Sequence, residues 1–509
     1  MRLGIDFGTT RTVVACADRG NYPVLAFVDD AGDSHDWIPS VVAEKDGALL
    51  FGFDALASDT TVVRSFKRLL ADAEARPDRP IRIGAVSIAL AELVTRFLAH
   101  VRSAVLERST LKEELKEEPL RSVVAVPANA SGAQRLLTLD AFRRAGLAPI
   151  AMLNEPSAAG FEYTHRHRNT LTSKRDHVVV YDLGGGTFDA SLVRMRGLAH
   201  EVLTTGGDNH LGGDDFDEVI LDLVLAAAQK TRADVDVARL REQCREAKER
   251  LNPSSKKLTV EIDDAPIAIP VSDVYEACTP LVERSIEAML PVMRRLDAED
   301  GSAGAGSGSG SGEERDDIAG IYVVGGASEL PIVGRALRSR FGRRVHRSPY
   351  ASGAIAIGLA IACDEAAGFE LVDRFTRTFG VFREGDGGNA ITFDPIFTRD
   401  TVLPSAGAAP VAFRRRYRAA HNVGHFRFLE CSAMDESGRP RGHMVVSGDC
   451  LFPFEPRLRE RDLAGVPVER TRGDGPRIEE EYTLDEHGIV AVKIKDLDAG
   501  FERVFQLGA

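Results

Sequence analysis

Apolar residues run through the first two thirds of the chain in two rhythms. Short unbroken runs, such as Val178-Val179-Val180 and Ile321-Tyr322-Val323-Val324, alternate with longer stretches of helical period. This alternation, continued to about residue 366, predicts an α/β architecture of strands covered by helices. Beyond it the texture changes to short runs of period two, broken by Gly, Pro and Asp. In the stretch Arg477 to Asp496, the residues Asp485-Glu486-His487-Gly488 read as a hairpin turn between two strands. This part is expected to be an all-β module. The join, Phe369 to Phe375, contains Leu371 and Val372, too apolar for a solvated linker, so docking of this segment is expected.

The division predicted is residues 1–368, a linker over 369–378 and a β-module over 379–509. One segment stands apart. Residues 301–312 read GSAGAGSGSGSG, a flexible low-complexity insert between a helical stretch (Val282 to Leu296) and an apolar strand (Ile318 to Val324). It reads as an engineered replacement of a surface loop and takes no part in the fold reasoning.

At 509 residues the chain exceeds what one core supports, which agrees with that division. A net charge of −13 argues against a nucleic-acid surface as its main business. The six cysteines are scattered with no CxxC pair, which points to a reducing, cytoplasmic setting with the thiols as small core residues. No signal peptide precedes the first strand and no run of about eighteen apolar residues occurs, so no membrane span is expected.

Two glycine-rich strand–turn units carry the candidate chemistry. In Gly4-Ile5-Asp6-Phe7-Gly8-Thr9-Thr10, an apolar strand delivers an Asp and turns on Gly. In Val178 to Asp189, a second such strand delivers Asp182, followed by Leu183, Gly184, Gly185, Gly186, Thr187, Phe188 and Asp189. Glycine lets backbone N–H groups approach phosphate oxygens, and an Asp at each strand end can hold water around Mg²⁺. One such loop is weak evidence. Two of them predict related halves folding over one nucleotide. A third strand end, Val324-Gly325-Gly326-Ala327-Ser328, suits packing against a nucleoside.

With Asn154 to Gly160 (NEPSAAG) and Gly207 to Asp217 (GDNHLGGDDFD), these motifs resemble, in order, those of the seventy-kilodalton heat-shock (DnaK-like) chaperone family. The stretch Arg477 to Asp496 resembles that family's peptide-binding domain. The resemblance implies an actin-like ATPase domain of two related lobes, then an all-β sandwich that binds peptide. Sugar kinases and actins share the ATPase fold, but DLGGGTFD together with NEPSAAG is more specific to these chaperones.

By motif, the resemblance implies catalytic roles for Lys67, Glu155, Asp182, Thr187 and Asp189. It implies Mg²⁺ held by Asp6 and Asp182 through water, with Glu155 near the ion, and K⁺ as a further candidate. ATP or ADP would be held by Asp6, Gly8, Thr9, Thr10, Gly184, Gly185, Gly186, Gly212, Gly213, Lys248, Arg250, Gly325, Gly326 and Ala327. Pro127 matches a hinge proline of the family, and a strand-end proline is the competing reading. Lys67 by itself would read as a solvated lysine; the order of the motifs overturns that.

The adenosine side departs from the pattern. Glu249 and Glu329 stand where arginines that sandwich the adenine are expected, so intact phosphate chemistry with looser adenine binding is predicted. Arg245 and Arg250 are candidates to compensate. In the β-module, Phe393 and Ala419 are expected to arch over an extended peptide and Phe426 to line the apolar pocket. The run Phe413-Arg414-Arg415-Arg416-Tyr417-Arg418 reads first as a protected strand edge and second as a preference for acidic clients. The chain ends where a helical lid is expected.

The implied function is capture and release of extended polypeptides coupled to ATP hydrolysis, with a J-domain co-chaperone as partner, an exchange factor left open, and neither nucleic acid nor membrane. A holdase or scaffold with a decayed nucleotide site is the alternative, and a small-molecule kinase of the same superfold is a third reading.

Overall fold

The computed structural model describes residues 2–113, 120–172, 175–294, 318–471 and 473–507; the Gly/Ser insert lies outside these residues. Two mixed sheets are built on one plan. In the first, β1 (Arg2–Phe7) and β2 (Arg11–Ala17) form an antiparallel hairpin, with β3 (Ile38–Pro39) on the far side of β2. After helix α1 (Leu90–Glu107), β4 (Arg121–Val126) pairs in parallel with β1. Helix α2 (Gly132–Arg144) then leads to β5 (Pro149–Asn154), parallel to β4, and α3 (Glu155–His167) follows at once. Parallel neighbours need such crossovers, which explains the strand–helix alternation of the sequence.

The second sheet repeats the arrangement. β6 (His177–Leu183) and β7 (Phe188–Arg196) form a hairpin that β8 (Ala199–Asp208) extends. Helices α4 (Gly213–Ala227), α5 (Val237–Glu249) and α6 (Val271–Arg294) precede β9 (Ile318–Val324), which lies parallel to β6. Helix α7 (Pro331–Phe341) leads to β10 (Val345–Arg347), parallel to β9. From Val178 to Leu183 and along β9 every residue is buried, as a strand covered on both faces requires. Helix α8 (Ala354–Cys363) packs on β1 and α3 through small residues. A Cβ on Gly358 would lie 1.8 Å from the Ala158 carbonyl oxygen, so only glycine allows this approach.

The join supplies β11 (Glu370–Val372), which adds in parallel to the outer edge of β8, so Leu371 and Val372 dock as a strand. Beyond it, β12 (Thr378–Gly385), β13 (Ala390–Phe397), β14 (Val411–Arg418), β15 (Val423–Met434), β16 (Pro440–Pro453), β17 (Arg477–Leu484), β18 (Val490–Asp496) and β19 (Glu502–Gln506) form two antiparallel sheets. Their orders are β13-β12-β15-β16 and β14-β17-β18-β19. Phe379, Phe428 and Phe452 of one sheet share a core with Ile478, Tyr482 and Val492 of the other. No helix among the described residues is long and apolar enough to cross a membrane.

The β-module rests on both mixed sheets. Ile489, just past the Asp485–Gly488 turn, is buried in the core of the first half. Arg135 of α2 donates to the His487 carbonyl at 3.2 Å and to Asn154 Oδ1 at 2.6 Å, and Asn154 donates to Asp373 at 2.7 Å. On the second half, Arg374 pairs with Glu201 at 2.5 Å. Arg399 bridges the carbonyls of Thr205 and Ser432.

Candidate functional site

The tips of the two hairpins meet. A Cβ on Gly185 would lie 2.5 Å from Thr10 Cγ2, and one on Gly186 2.9 Å from Thr9 Cγ2. A third turn closes on them, with Gly213 N–H donating to the Gly184 carbonyl at 2.9 Å and Asp214 N–H to that of Gly185 at 2.8 Å. Gly325, at φ +87°, brings the end of β9 against Asp182; a Cβ there would lie 2.3 Å from Asp182 Oδ1. Four strand ends therefore deliver glycine backbone to one place.

These elements wall a cleft of about 840 Å³. It is lined by Asp6, Gly8, Thr9, Thr10, Lys67, Glu155, Asp182, Gly184, Gly185, Thr187, Gly213, Lys248, Arg250, Gly325, Gly326 and Ala327, all expected from the motifs. Three expected residues lie behind this wall. Gly186 and Gly212 pack on each other, and Asp189, paired in register with Asp182, is buried.

Lys67 reaches the cleft from a 3-10 turn and is buried with Glu155, its Nζ 3.1 Å from Oε1 and over the Phe7 ring. Burial works against the ammonium, but Glu155 and Asp6 outweigh it and hold Lys67 above its ordinary value. Around this one cation stand Asp6, Glu155, Asp182 and Asp189. Burial, reinforced by Glu155, pushes Asp6 and Asp189 up to about 7 and Asp182 well above the carboxylate range. Lys248 pairs with buried Asp217 at 2.6 Å and donates to the Gly213 carbonyl at 2.8 Å, so it braces the third turn.

A surplus of buried carboxylates with one ammonium is a site short of positive charge. Asp189 Oδ1 also lacks a hydrogen-bond partner. The shortage of positive charge fits a divalent cation. Among the described residues no group of three His, Cys, Asp or Glu side chains is placed to hold an ion directly. An ion held through its waters, the habit of Mg²⁺, fits this donor set.

Other side chains line or flank the cleft. Arg68 donates to the Gly186 carbonyl and lies 3.7 and 3.6 Å from Asp214 and Asp215. Ser65 Oγ donates to Asp214 at 2.7 Å. Arg11, over the Trp37 ring, pairs across the cleft with Glu249, and Arg64 pairs with Glu242 at 2.7 Å. Arg245 pairs with Glu242 and Arg250 with Glu246 at 2.7 Å, and both arginines line the cleft.

In the β-module, Phe426 and Ala419 are buried in the shared core and Phe393, half-buried, packs on Phe382. Arg414 and Arg416 pair with Glu481 and Glu479 of the neighbouring strand, and Arg415 with Asp394. Strand β14 is an edge with three of its four arginines matched by carboxylates, which favours edge protection over recognition of acidic clients.

The family model described as Hsp70 protein matches residues 2–406. Similar relatives include the chaperone protein DnaK of Thermotoga petrophila, 30% identical over 98% of this chain and 79% of its own length. The HscA homologue of Burkholderia multivorans is 31% identical over 99% of this chain and 77% of its own. That of Chromobacterium violaceum is 32% identical over the same shares, 99% and 77%.

Proposed function

The chain belongs to the Hsp70 protein family, and from that premise we propose that it is an ATP-driven chaperone. ATP is hydrolysed in the cleft of an actin-like domain, residues 1–368, whose two lobes are the halves built on the mixed sheets. Residues 369–378 couple it to a β-sandwich, 379–509, that holds extended, partly apolar polypeptides. One observation carries this reading: two glycine hairpin tips converge above a buried Lys67–Glu155 pair.

The tips present backbone N–H groups to the β- and γ-phosphates. Asp6 and Asp182 would hold Mg²⁺ through water, and the ion when bound offsets phosphate charge. Lys67, kept cationic, orients the attacking water and stabilises charge developing on the γ-phosphoryl oxygens. Glu155 fixes Lys67 in place. Asp189, with Thr187 and Asn129 beside it, steadies the second tip from behind. Phe393, Ala419 and Phe426 belong to the sandwich region that would take the client, and a J-domain protein is the expected co-chaperone.

Single-turnover hydrolysis with Lys67→Ala tests the site. The variant should bind ATP and lose turnover by about a hundred-fold or more, and extended peptides should stimulate the wild type. An unchanged rate in Lys67→Ala would sink the assignment. The holdase reading draws support from Glu249, engaged by Arg11 where a stacking arginine is expected. Nucleotide binding without turnover in the wild type would select it.

A further inference from the structure

A buried ion pair ties the β-module to the loop beside the catalytic carboxylates. Arg377 in the linker is 1% exposed and Glu430 on β15 is 2% exposed, with Nε 3.2 Å from Oε2. The Glu430 carboxylate also accepts the Gly132 N–H, at 3.2 and 3.1 Å to its two oxygens, and the Ser447 hydroxyl at 3.2 Å. Gly132 opens α2, so the carboxylate caps the positive end of that helix. The fit is close: a Cβ on Gly132 would lie 2.7 Å from Oε1.

Arg377 directs its remaining donors to carbonyls, those of Asn129 at 3.3 Å, His443 at 3.0 Å and Glu430 at 3.4 Å. Asn129 in turn accepts from Thr205 Oγ1 at 3.4 Å, and its side chain lies beside Asp189. Asn129 and His443 both line the cleft. Contacts therefore run from β15, through Arg377, to Asn129 on the cleft wall. A buried ion pair is a poor source of net stability, because apolar replacements of similar volume are often as stable. Its value here is geometric.

We propose that Arg377 is a positioning residue for hydrolysis. Anchored by Glu430, it holds the loop 127–131, and with it Asn129 at the cleft wall, in working position while the β-module is docked. This rests on the hydrolysis reading above. Removing one partner strands a buried charge, so the paired variant Arg377→Met/Glu430→Gln is made beside Arg377→Lys.

Hydrogen exchange is followed at amides 128–133 of the full nucleotide-free chain, and kcat and KM for ATP are measured separately. The paired variant should exchange about ten-fold faster there and lose about ten-fold in kcat, with KM within about two-fold; Arg377→Lys should recover part of the rate. Unchanged exchange overturns the proposal. So does faster exchange with unchanged kcat, which leaves the pair a structural role only. A wild type without turnover instead defeats the hydrolysis reading and the positioning role with it, and the wild-type control separates that failure from the others.

Discussion

Glu249 and Glu329, standing where arginines are expected, each meet an arginine from elsewhere in the chain. Arg11 takes up Glu249, and Arg347 lies 3.9 Å from Glu329. Both arginines line the cleft and come from elements outside the motif that lost its own. The Arg11–Glu249 pair is partly exposed, so Glu249→Ala should speed nucleotide release by no more than about five-fold in a stopped-flow chase. Such pairings left no trace in the sequence. Arg68 meets Gly186 across 118 positions and Arg377 meets Asn129 across 248, and no local pattern encodes a partner at that distance. The glycine turns were legible because backbone approach to phosphate restricts the residue type at fixed spacing.

At the level of elements, β11 covers His200. The ring is 1% exposed, stacked on Phe161 at 4.9 Å and edge-on to Phe369 at 5.4 Å, with Thr164 Oγ1 3.0 Å from Nε2. Burial pushes its pKa down to about 4 from 6.5. A depressed histidine favours the covered state while neutral, so this contribution is whole above pH 6.5 and is lost as pH falls toward 4. Glu201 beside it stays ionised through most of that window: burial raises its pKa, but Arg374 and Arg194 hold it below the usual value. Exchange protection of β11 should therefore decline on acidification below about pH 6.5, and His200→Phe should flatten that decline. Helix α8 makes a different demand. Gly358→Ala would drive a methyl into the Ala158 carbonyl and should lower stability by about 3 kcal/mol, read as a fall in urea midpoint. The strands and helices themselves were readable from period, whereas Phe426, expected to line a client pocket, lies with Phe428 in the buried core of the β-module.

The whole molecule joins three bodies through a few polar bridges. Asn154, Arg135 and Asp373 hold the β-module to the first half, while Arg374 and Arg399 hold it to the second. A module seated on both halves responds to any change in the angle between them, and such coupling acts in both directions. Asp373→Ala leaves buried Arg135 short of its counter-charge and should shift the chain toward an undocked, longer shape, seen as a larger radius of gyration in small-angle scattering. The separation into an α/β part and a β part was plain from texture. Their docking was hinted at only by Leu371 and Val372, because linker contacts depend on partners the local sequence does not name.

Strand β11 also carries a liability. While it is seated, β8 has neighbours on both sides. Once it leaves, the backbone of β8 becomes an unfinished margin, bordered by the newly wetted Phe161 and His200, and open to any extended chain that drifts past. Each release then risks polymerisation with a second copy. The time β11 stays away would set how crowded the protein can become before it clumps.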